Sequence, residues 1–298
     1  MSSAPTASFG RVTVFFGDKN GKYPDGNQVI VAGSDSRAAF DTPLVANRIG
    51  PDFTATDLVV MGHVHEDHMA GLHLVPRAEV HVHRGDLAAA RSWEGMAAHF
   101  GVRPERLPAM HANIAKKFHY APRPDAIGYD DGAVFELGGS RIRAIHMPGH
   151  TRGHCVLLVE PEGVAFIGDI DLTGFGPYYG DATSDLGDFR RSLARLPDIE
   201  AKVWVTSHHR GAYVEREHFM RDLAAFAAKI DERERTLLGW LKERPMTLDE
   251  MVARRLLYPA HIQEVWVDDA EQRTIELHLA EMAAAGSVAI DQGMWRAT

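Results

Sequence analysis

The sequence predicts an α+β fold, and three features of the pattern support this class. Short apolar runs rich in β-branched residues, such as RVTVFFG and HCVLLVE, recur between turn signals in the first and middle thirds of the chain. A segment from about residue 86 to residue 125 has apolar residues at helical spacing instead. The segment from Glu215 to Arg244 predicts one long helix, or two abutting helices, ended by Pro245.

The C-terminal residues predict a separate small module. Thr247 and Glu250 form a capping-box pattern at a helix start, a second helical segment ends near Gly286, and SVAIDQGMWRA is typical of a hairpin. The order helix, helix, hairpin favours a winged-helix-like module. We therefore expect one large domain over 1–238, with a helical insertion at about 86–125, and a C-terminal module over 239–298.

Composition excludes several kinds of site. Cys155 is the single cysteine among 298 residues, so neither an intrachain disulfide nor a thiolate-rich zinc site can form. Any metal must be held by carboxylates and by some of the 17 histidines. The net charge of −9 opposes nucleic-acid binding, in which neutralisation of phosphates dominates.

The expected surroundings of the protein follow from what the chain lacks. It has no apolar run of bilayer-spanning length and no pattern of a secretory signal near its first residues, so a cytoplasmic location is expected. The expected partner is a small-molecule substrate, and neither nucleic acid nor a membrane is expected. Assembly into a homodimer is left open.

A dense group of metal-ligand residue types directly follows the apolar run TDLVVMG. In HVHEDH, His63 and His65 lie two residues apart in extended backbone, so their side chains point the same way and can share one metal. Asp67 and His68 lie where the chain turns into a helix, and they can face a second metal. Imidazole and carboxylate ligands suit zinc, iron or manganese, with zinc as the default.

Four motifs in order resemble the signatures of the metallo-β-lactamase superfamily. HVHEDH resembles its H-x-H-x-D-H motif, PGHTRGH its third-ligand segment, AFIGD the segment of its bridging aspartate, and VWVTSHH its last ligand strand. The resemblance covers about residues 11–226 and implies an αββα sandwich. It implies metal ligation by His63, His65, Asp67, His68, His150, Asp169 and His208, with His209 as the fallback for His208.

The resemblance implies a hydrolase with two divalent ions, most readily Zn²⁺, with iron or manganese as alternatives. The paired ions would ionise a shared water, which attacks the carbonyl of a small ester, thioester or lactone. Asp67 would shuttle the proton. Tyr178 and Tyr179 are candidate donors to the developing oxyanion, weighed equally against simple packing under their loop.

Other residues are expected to have structural roles. His99, in the helical insertion, is expected on a solvated helix face, and Cys155 in the core. The C-terminal module is expected to shape the substrate site rather than bind DNA, because acidic residues outnumber basic ones after Gly239.

Two other activities remain as alternatives. A persulfide dioxygenase-like oxidoreductase would use a single iron on the same fold. A phosphodiesterase or nuclease could use paired metals, although the negative net charge argues against it.

Overall fold

The computed structural model describes residues 4–298 and contains two large mixed sheets. The first sheet follows the order of the chain. Its strands are β1 (Thr6–Phe9), β2 (Val12–Phe15), β3 (Gln28–Ala32), β4 (Arg37–Phe40), β5 (Leu58–Val60), β6 (Glu79–His83) and β7 (Ile127–Tyr129). Strands β1 to β4 pair antiparallel, and β4 to β7 pair parallel.

The second sheet has the spatial order β13-β12-β11-β10-β9-β8. Its strands are β8 (Val134–Glu136), β9 (Arg141–His146), β10 (Cys155–Glu160), β11 (Val164–Phe166), β12 (Val203–Val205) and β13 (Ala212–Tyr213). Only β11 and β12 pair parallel within this sheet. A C-terminal hairpin is formed by β14 (Val288–Asp291) and β15 (Met294–Ala297).

Helices cover the outer faces of the sheets and form most of the C-terminal part. They are α1 (Asp18–Gly21), α2 (Pro51–Thr54), α3 (Leu87–Arg91), α4 (Trp93–Phe100), α5 (Leu107–Phe118), α6 (Leu186–Arg195), α7 (Arg216–Glu243), α8 (Leu248–Arg254) and α9 (Val267–Ala284). Short 3₁₀ turns lie at Leu44–Arg48, Glu66–Met69, Leu72–Leu74, Pro104–Arg106 and Leu196–Asp198. None of the helices in the described part of the chain is both long and apolar enough to cross a membrane.

Side chains alternate between the two faces of each strand, and they form three apolar core clusters between the layers of helices and sheets. In β3, Val29 and Val31 face the second sheet, whereas Ile30 faces the outer core cluster, which includes residues of α2, α4 and α5. In β10, Leu157 packs between the sheets, and Val156 packs against α6 and α7. This helix, sheet, sheet, helix order is the αββα sandwich expected from the motifs.

Several local expectations are confirmed. The 86–125 segment contains α3, α4 and α5, and Thr247 and Glu250 form the reciprocal bonds of a capping box. Cys155 is buried between the sheets. One helix spans residues 216–243 without a break, so the expected boundary at 238/239 falls inside it. The boundary itself stays a prediction, and residues 1–3 of the first expected domain lie outside the described residues.

Candidate metal centre

The candidate ligands follow the ends of strands at one edge of the two sheets. His63, His65 and His68 follow β5, and Asp169 and His208 follow the parallel pair β11 and β12. The carboxyl ends of parallel strands meet at one edge, which is where open sheets commonly bind ligands. His150 reaches the same point from the segment after β9.

The first group of donors consists of three imidazoles and one carboxylate. One ligand atom from each of His63, His65, His150 and Asp169 lies within 4.8 Å of the others. The Nδ1 atom of His65 lies 3.2 Å from Nε2 of His63 and 3.1 Å from Nε2 of His150. Two nitrogens bound tetrahedrally to one zinc would lie about 3.3 Å apart. The group therefore has the spacing of a zinc-sized site.

The second group of donors lies on the other side of Asp169. Ligand atoms of Asp67, His68 and His208 lie within 4.8 Å of one another. Nε2 of His208 lies 3.1 Å from Oδ2 of Asp67, and Nε2 of His68 lies 3.7 Å from the same oxygen. This group could hold a second ion.

Asp169 has one oxygen toward each group. Its Oδ2 atom lies 3.4 Å from Nε2 of His150 and 3.9 Å from Nε2 of His63. Its Oδ1 atom lies 3.1 Å from Nε2 of His68 and 3.5 Å from Nε2 of His208. A carboxylate placed in this way can bridge two ions.

Unsatisfied buried atoms support metal binding at the second group. Nε2 of His68, Nε2 of His208 and Oδ1 of Asp169 are all buried without a hydrogen-bond partner. Leaving one such atom unpaired costs about 1–3 kcal/mol, and more for a charged atom. Because these three atoms face one another, one cation would satisfy them together. The residues present thus fit a pair of divalent ions.

Neighbouring acceptors fix the orientation of the rings in the second group. Nδ1 of His68 donates to Oδ2 of Asp41 at 2.8 Å, and Asp41 is itself fixed by the amide of Gly62 at 2.7 Å. Nδ1 of His208 donates to the carbonyls of Gly21 and Asp25 at 3.0 and 2.8 Å. In each ring the second nitrogen is left with a free lone pair directed at the ion site.

Two of the three rings in the first group are held by the loop after Asp169. Nε2 of His65 donates to Oδ2 of Asp181 at 2.8 Å, which leaves Nδ1 free for a metal. Nδ1 of His150 donates to the carbonyl of Tyr178 at 2.9 Å, which leaves Nε2 free. The same few residues therefore orient two candidate ligands of the first group.

The electrostatic environment divides the histidines into two kinds. Burial lowers the pKa of His150 to about 4 and holds that of His63 well below its usual range, so both rings stay neutral. Burial also acts to lower the pKa of His65 and His208, but nearby carboxylates outweigh it and raise each pKa to about 9. Metal binding must therefore displace protons from the latter two rings.

The carboxylates of the site differ in how burial affects them. Burial alone would raise the pKa of Asp169, but the rings of His68 and His208 outweigh it and hold this pKa well below the usual range. For Asp171, burial and the charge of Asp169 raise the pKa to about 7. The Asp169 carboxylate is therefore ionised at neutral pH, whereas the Asp171 carboxyl group, with its pKa of about 7, gains and loses its proton near neutral pH.

A cavity of about 510 Å³ opens above the ligands. The insertion contributes Phe100, Val102 and Met110 to its wall. Further residues come from the loop after Asp169, from the segment between α8 and α9, and from the N-terminal part: Thr173, Phe175, Tyr178, Tyr258, Ile262, Trp266 and Tyr23. The cavity is therefore largely apolar and aromatic, with the ligand cluster at one end. The C-terminal part shapes this wall.

The structure separates the two candidate tyrosines. Tyr178 lines the cavity, but its hydroxyl donates to Oδ1 of Asp181 at 3.1 Å. Tyr179 is fully buried in the layer under α6 and α7, and its hydroxyl is hydrogen-bonded to Nε2 of His278 at 2.8 Å. The two side chains point in opposite directions, so Tyr178 lies at the cavity and Tyr179 lies away from it. The catalytic role of either tyrosine stays a prediction.

The structure also decides between the two histidines of the last motif. His208 supplies the donor to the second group. His209 adopts a left-handed backbone conformation with φ 63°, is half-buried and belongs to neither group. His208 is therefore the residue that reaches the ion site.

Sequence reasoning missed several residues that hold the site. Asp41 and Asp181 orient ligand rings, and Asp86 accepts from the amides of Val64 and Gly153. His99, expected on a solvated face, is instead 3% exposed, because α4 packs beside the ligand cluster. Asp41 directly follows the end of strand β4, which is a sequence signal for a residue near the site. No local sequence pattern identifies Asp181 as such a residue.

The segment that carries the candidate ligands matches a known protein family. The family model described as the metallo-beta-lactamase superfamily matches residues 57–208, a range that includes all seven candidate ligands. The chain belongs to this superfamily.

Curated relatives within the superfamily include enzymes named for thioester chemistry. An atrochrysone carboxyl ACP thioesterase of Pseudocercospora fijiensis is 29% identical over 177 residues, which are 57% of this chain and 50% of that protein. A lactamase-like protein of Trichophyton rubrum is 27% identical over 208 residues, 69% of this chain and 60% of that protein. The chain thus spans about half of the length of these relatives.

Solved structures share the whole architecture. A metallo-beta-lactamase family protein from Thermus thermophilus superposes with a TM-score of 0.71 at 25% identity, covering 92% of this chain and 94% of that chain. A beta-lactamase domain protein from Burkholderia ambifaria gives a TM-score of 0.71 at 16% identity, covering 100% and 95%. The alignment with these two proteins therefore extends beyond the sandwich into the C-terminal part of this chain.

Proposed function

We propose that this protein is a metal-dependent hydrolase of acyl thioesters that uses two divalent ions, with zinc as the default. The observation that carries the proposal is the pair of donor groups that share Asp169 at one end of an open, largely apolar cavity. Small esters and lactones belong to the same reaction class. The thioester is favoured because relatives are named as acyl-carrier thioesterases.

The candidate ligand residues would hold the ions, and one of them, Asp67, would also transfer a proton during hydrolysis. A pair of divalent ions would supply the positive charge that makes a water acidic near neutral pH and polarises the carbonyl. His63, His65 and His150 would hold one ion, and His68, His208 and Asp67 would hold the other, with Asp169 available to both groups. As the water oxygen bonds to the carbonyl carbon and the carbon–sulfur bond breaks, Asp67 carries the proton to the departing thiolate.

The cavity wall favours an uncharged, aromatic or branched acyl group. Phe100, Met110, Tyr258 and Trp266 contribute apolar surface to this wall. No Lys or Arg occurs among the described residues that line the cavity, so the wall offers a phosphodiester backbone no cationic side chain. This supports a small-molecule substrate rather than a nucleic acid.

The test combines metal analysis with a matched substrate panel. Protein purified without added metal is first analysed for its elements. It is then assayed with benzoyl and acetyl thioesters of N-acetylcysteamine, with the corresponding oxygen esters and with a lactone. Thiol release can be read with a thiol reagent, because Cys155 is buried and burial raises its pKa to about 12.

The expected result is thioester turnover that chelation abolishes and zinc restores. His150→Ala should remove turnover, whereas the matched control His218→Ala, on an exposed ring of α7, should leave it unchanged. No turnover of any substrate by fully metallated protein would refute the hydrolase proposal. One iron per chain with oxygen uptake on a persulfide would favour the dioxygenase instead.

A further inference from the structure

The loop over residues 177–184, here called the bracing loop, contacts two ligands of the first ion at three points. Its Tyr178 carbonyl accepts from His150 Nδ1 at 2.9 Å. Its Asp181 carboxylate accepts from His65 Nε2 at 2.8 Å. The hydroxyl of Ser184 donates to the His150 carbonyl at 2.6 Å. The orientation of both rings therefore depends on where this loop lies.

Helix α9, near the C-terminus, holds the bracing loop in turn. Arg273 donates from Nε to the carbonyl of Asp181 at 3.3 Å and from Nη2 to the carbonyl of Ser184 at 3.0 Å. At Gly180 an added Cβ would lie 2.9 Å from Cβ of Ala270 on the same helix, so the loop and helix are in direct contact. One guanidinium thus joins two points of the segment that grips the ligands.

The second donor group has separate supports. The ring of His68 is oriented by Asp41, and that of His208 by the carbonyls of Gly21 and Asp25. All three supporting residues belong to the N-terminal part of the chain, and none belongs to the bracing loop. Displacement of α9 would therefore disturb one ion site more than the other.

We propose that Arg273 is a positioning residue that sets the affinity of the first ion site through the bracing loop, so that the C-terminal part of the chain controls loading of one metal. This inference rests on the metal centre of the proposed function. Residues that orient metal ligands typically change metal affinity about 10- to 100-fold. Because Arg273 acts through backbone carbonyls, we expect about the lower end of that range.

The experiment measures each ion site alone. His208→Ala impairs the second group and leaves the first, and His150→Ala impairs the first and leaves the second. In each background the zinc affinity is measured with and without Arg273→Ala, by competition with a chromophoric chelator. Arg273→Ala should weaken zinc binding about tenfold in the His208→Ala background and leave it within about twofold in the His150→Ala background.

Two further variants separate positioning from general stability. Arg190→Ala removes the bonds from α6 to Asp231 on α7 and Glu281 on α9, but it does not touch the bracing loop. It should lower the melting temperature and weaken zinc binding less than Arg273→Ala does, because it leaves the bonds of Arg273 to the bracing loop in place. Arg273→Lys should restore part of the affinity, and circular dichroism checks that each variant is folded. If Arg273→Ala does not fold, Ser184→Ala removes a loop contact directly and should weaken the first site alone.

The outcomes distinguish the proposals from one another. Equal losses at both sites, no loss at either, or an equal loss from Arg190→Ala would overturn the role of Arg273. Failure of the wild-type protein to bind zinc would overturn the metal centre itself. Inactivity toward thioesters with normal zinc binding would overturn only the proposed substrate, and the affinity comparison would still decide the role of Arg273.

Discussion

Replacing Asp41 with asparagine should weaken one ion site without disturbing the fold. The carboxylate is 1% exposed, accepts from Nδ1 of His68 at 2.8 Å and accepts from the amide of Gly62 at 2.7 Å. Asparagine has the same shape, and its oxygen can still accept from Gly62. Its amide group would then face His68, where only an acceptor now fits.

The expected loss of metal affinity follows from the effect of this substitution on His68. With an amide donor at Nδ1, the ring must carry its proton on Nε2, the nitrogen that faces Asp169 at 3.1 Å. That nitrogen could then no longer bind a metal. Loss of a group that orients a ligand costs about 10- to 100-fold in affinity, or about 1.4–2.7 kcal/mol.

The assay is zinc competition with a chelator on Asp41→Asn and on Asp57→Asn. Asp57 is exposed and accepts from the amide of Arg37 at the other end of β4, so it controls for the same chemical change. One equivalent of zinc should be lost more readily from Asp41→Asn alone. Unchanged binding of both equivalents would refute the tautomer argument.

Three other predictions concern the free energy of unfolding, its dependence on pH, and the preference for the acyl group of the substrate. Tyr179→Phe leaves Nε2 of His278 buried and unpaired, which should cost about 1–3 kcal/mol in urea unfolding with unchanged turnover. Burial lowers the pKa of His278 to about 3 from its ordinary 6.5, so only the unfolded chain takes up this proton between about pH 7 and 5, and about 2 kcal/mol of stability should be lost. Trp266→Ala should raise KM for benzoyl thioesters several-fold more than for acetyl thioesters, because it removes cavity wall.

Each of these has a result that would count against it. A large fall in turnover for Tyr179→Phe would place that tyrosine among the catalytic residues. The acid loss should shrink by about 2 kcal/mol in His278→Gln, and an identical pH dependence in that variant would contradict the assignment to this ring. Equal KM changes for the two acyl groups would show that Trp266 does not contact the acyl chain.

The ligand cluster could be foreseen because its chemistry is concentrated in short motifs. His63, His65, Asp67 and His68 occupy a stretch of six consecutive positions, and the apolar run before them predicts the strand that delivers them. Chain direction and side-chain alternation then fix which way each ring points. Such information is local, so it can be read without coordinates.

The supports of the ligands could not be foreseen in the same way. Asp181 reaches His65 across 116 positions of the chain, and this contact depends on how the loop after Asp169 folds against α9. The same loop decides that Tyr178 faces the cavity while Tyr179 packs into the interior. Loop conformation is set by tertiary contacts, which leave no periodic trace in the sequence.

The length of helix α7 fixes the position of the C-terminal part relative to the sandwich. Its 28 residues run unbroken from the sandwich into the C-terminal cluster, where Leu237 and Leu241 pack. Deleting a single residue from its middle would turn everything beyond by roughly 100° and shift it by about 1.5 Å. A change of about seven residues nearly restores the angle but moves the C-terminal part by about 10 Å, away from the loop that Arg273 contacts. Exchange of C-terminal parts between relatives should therefore preserve the length of α7.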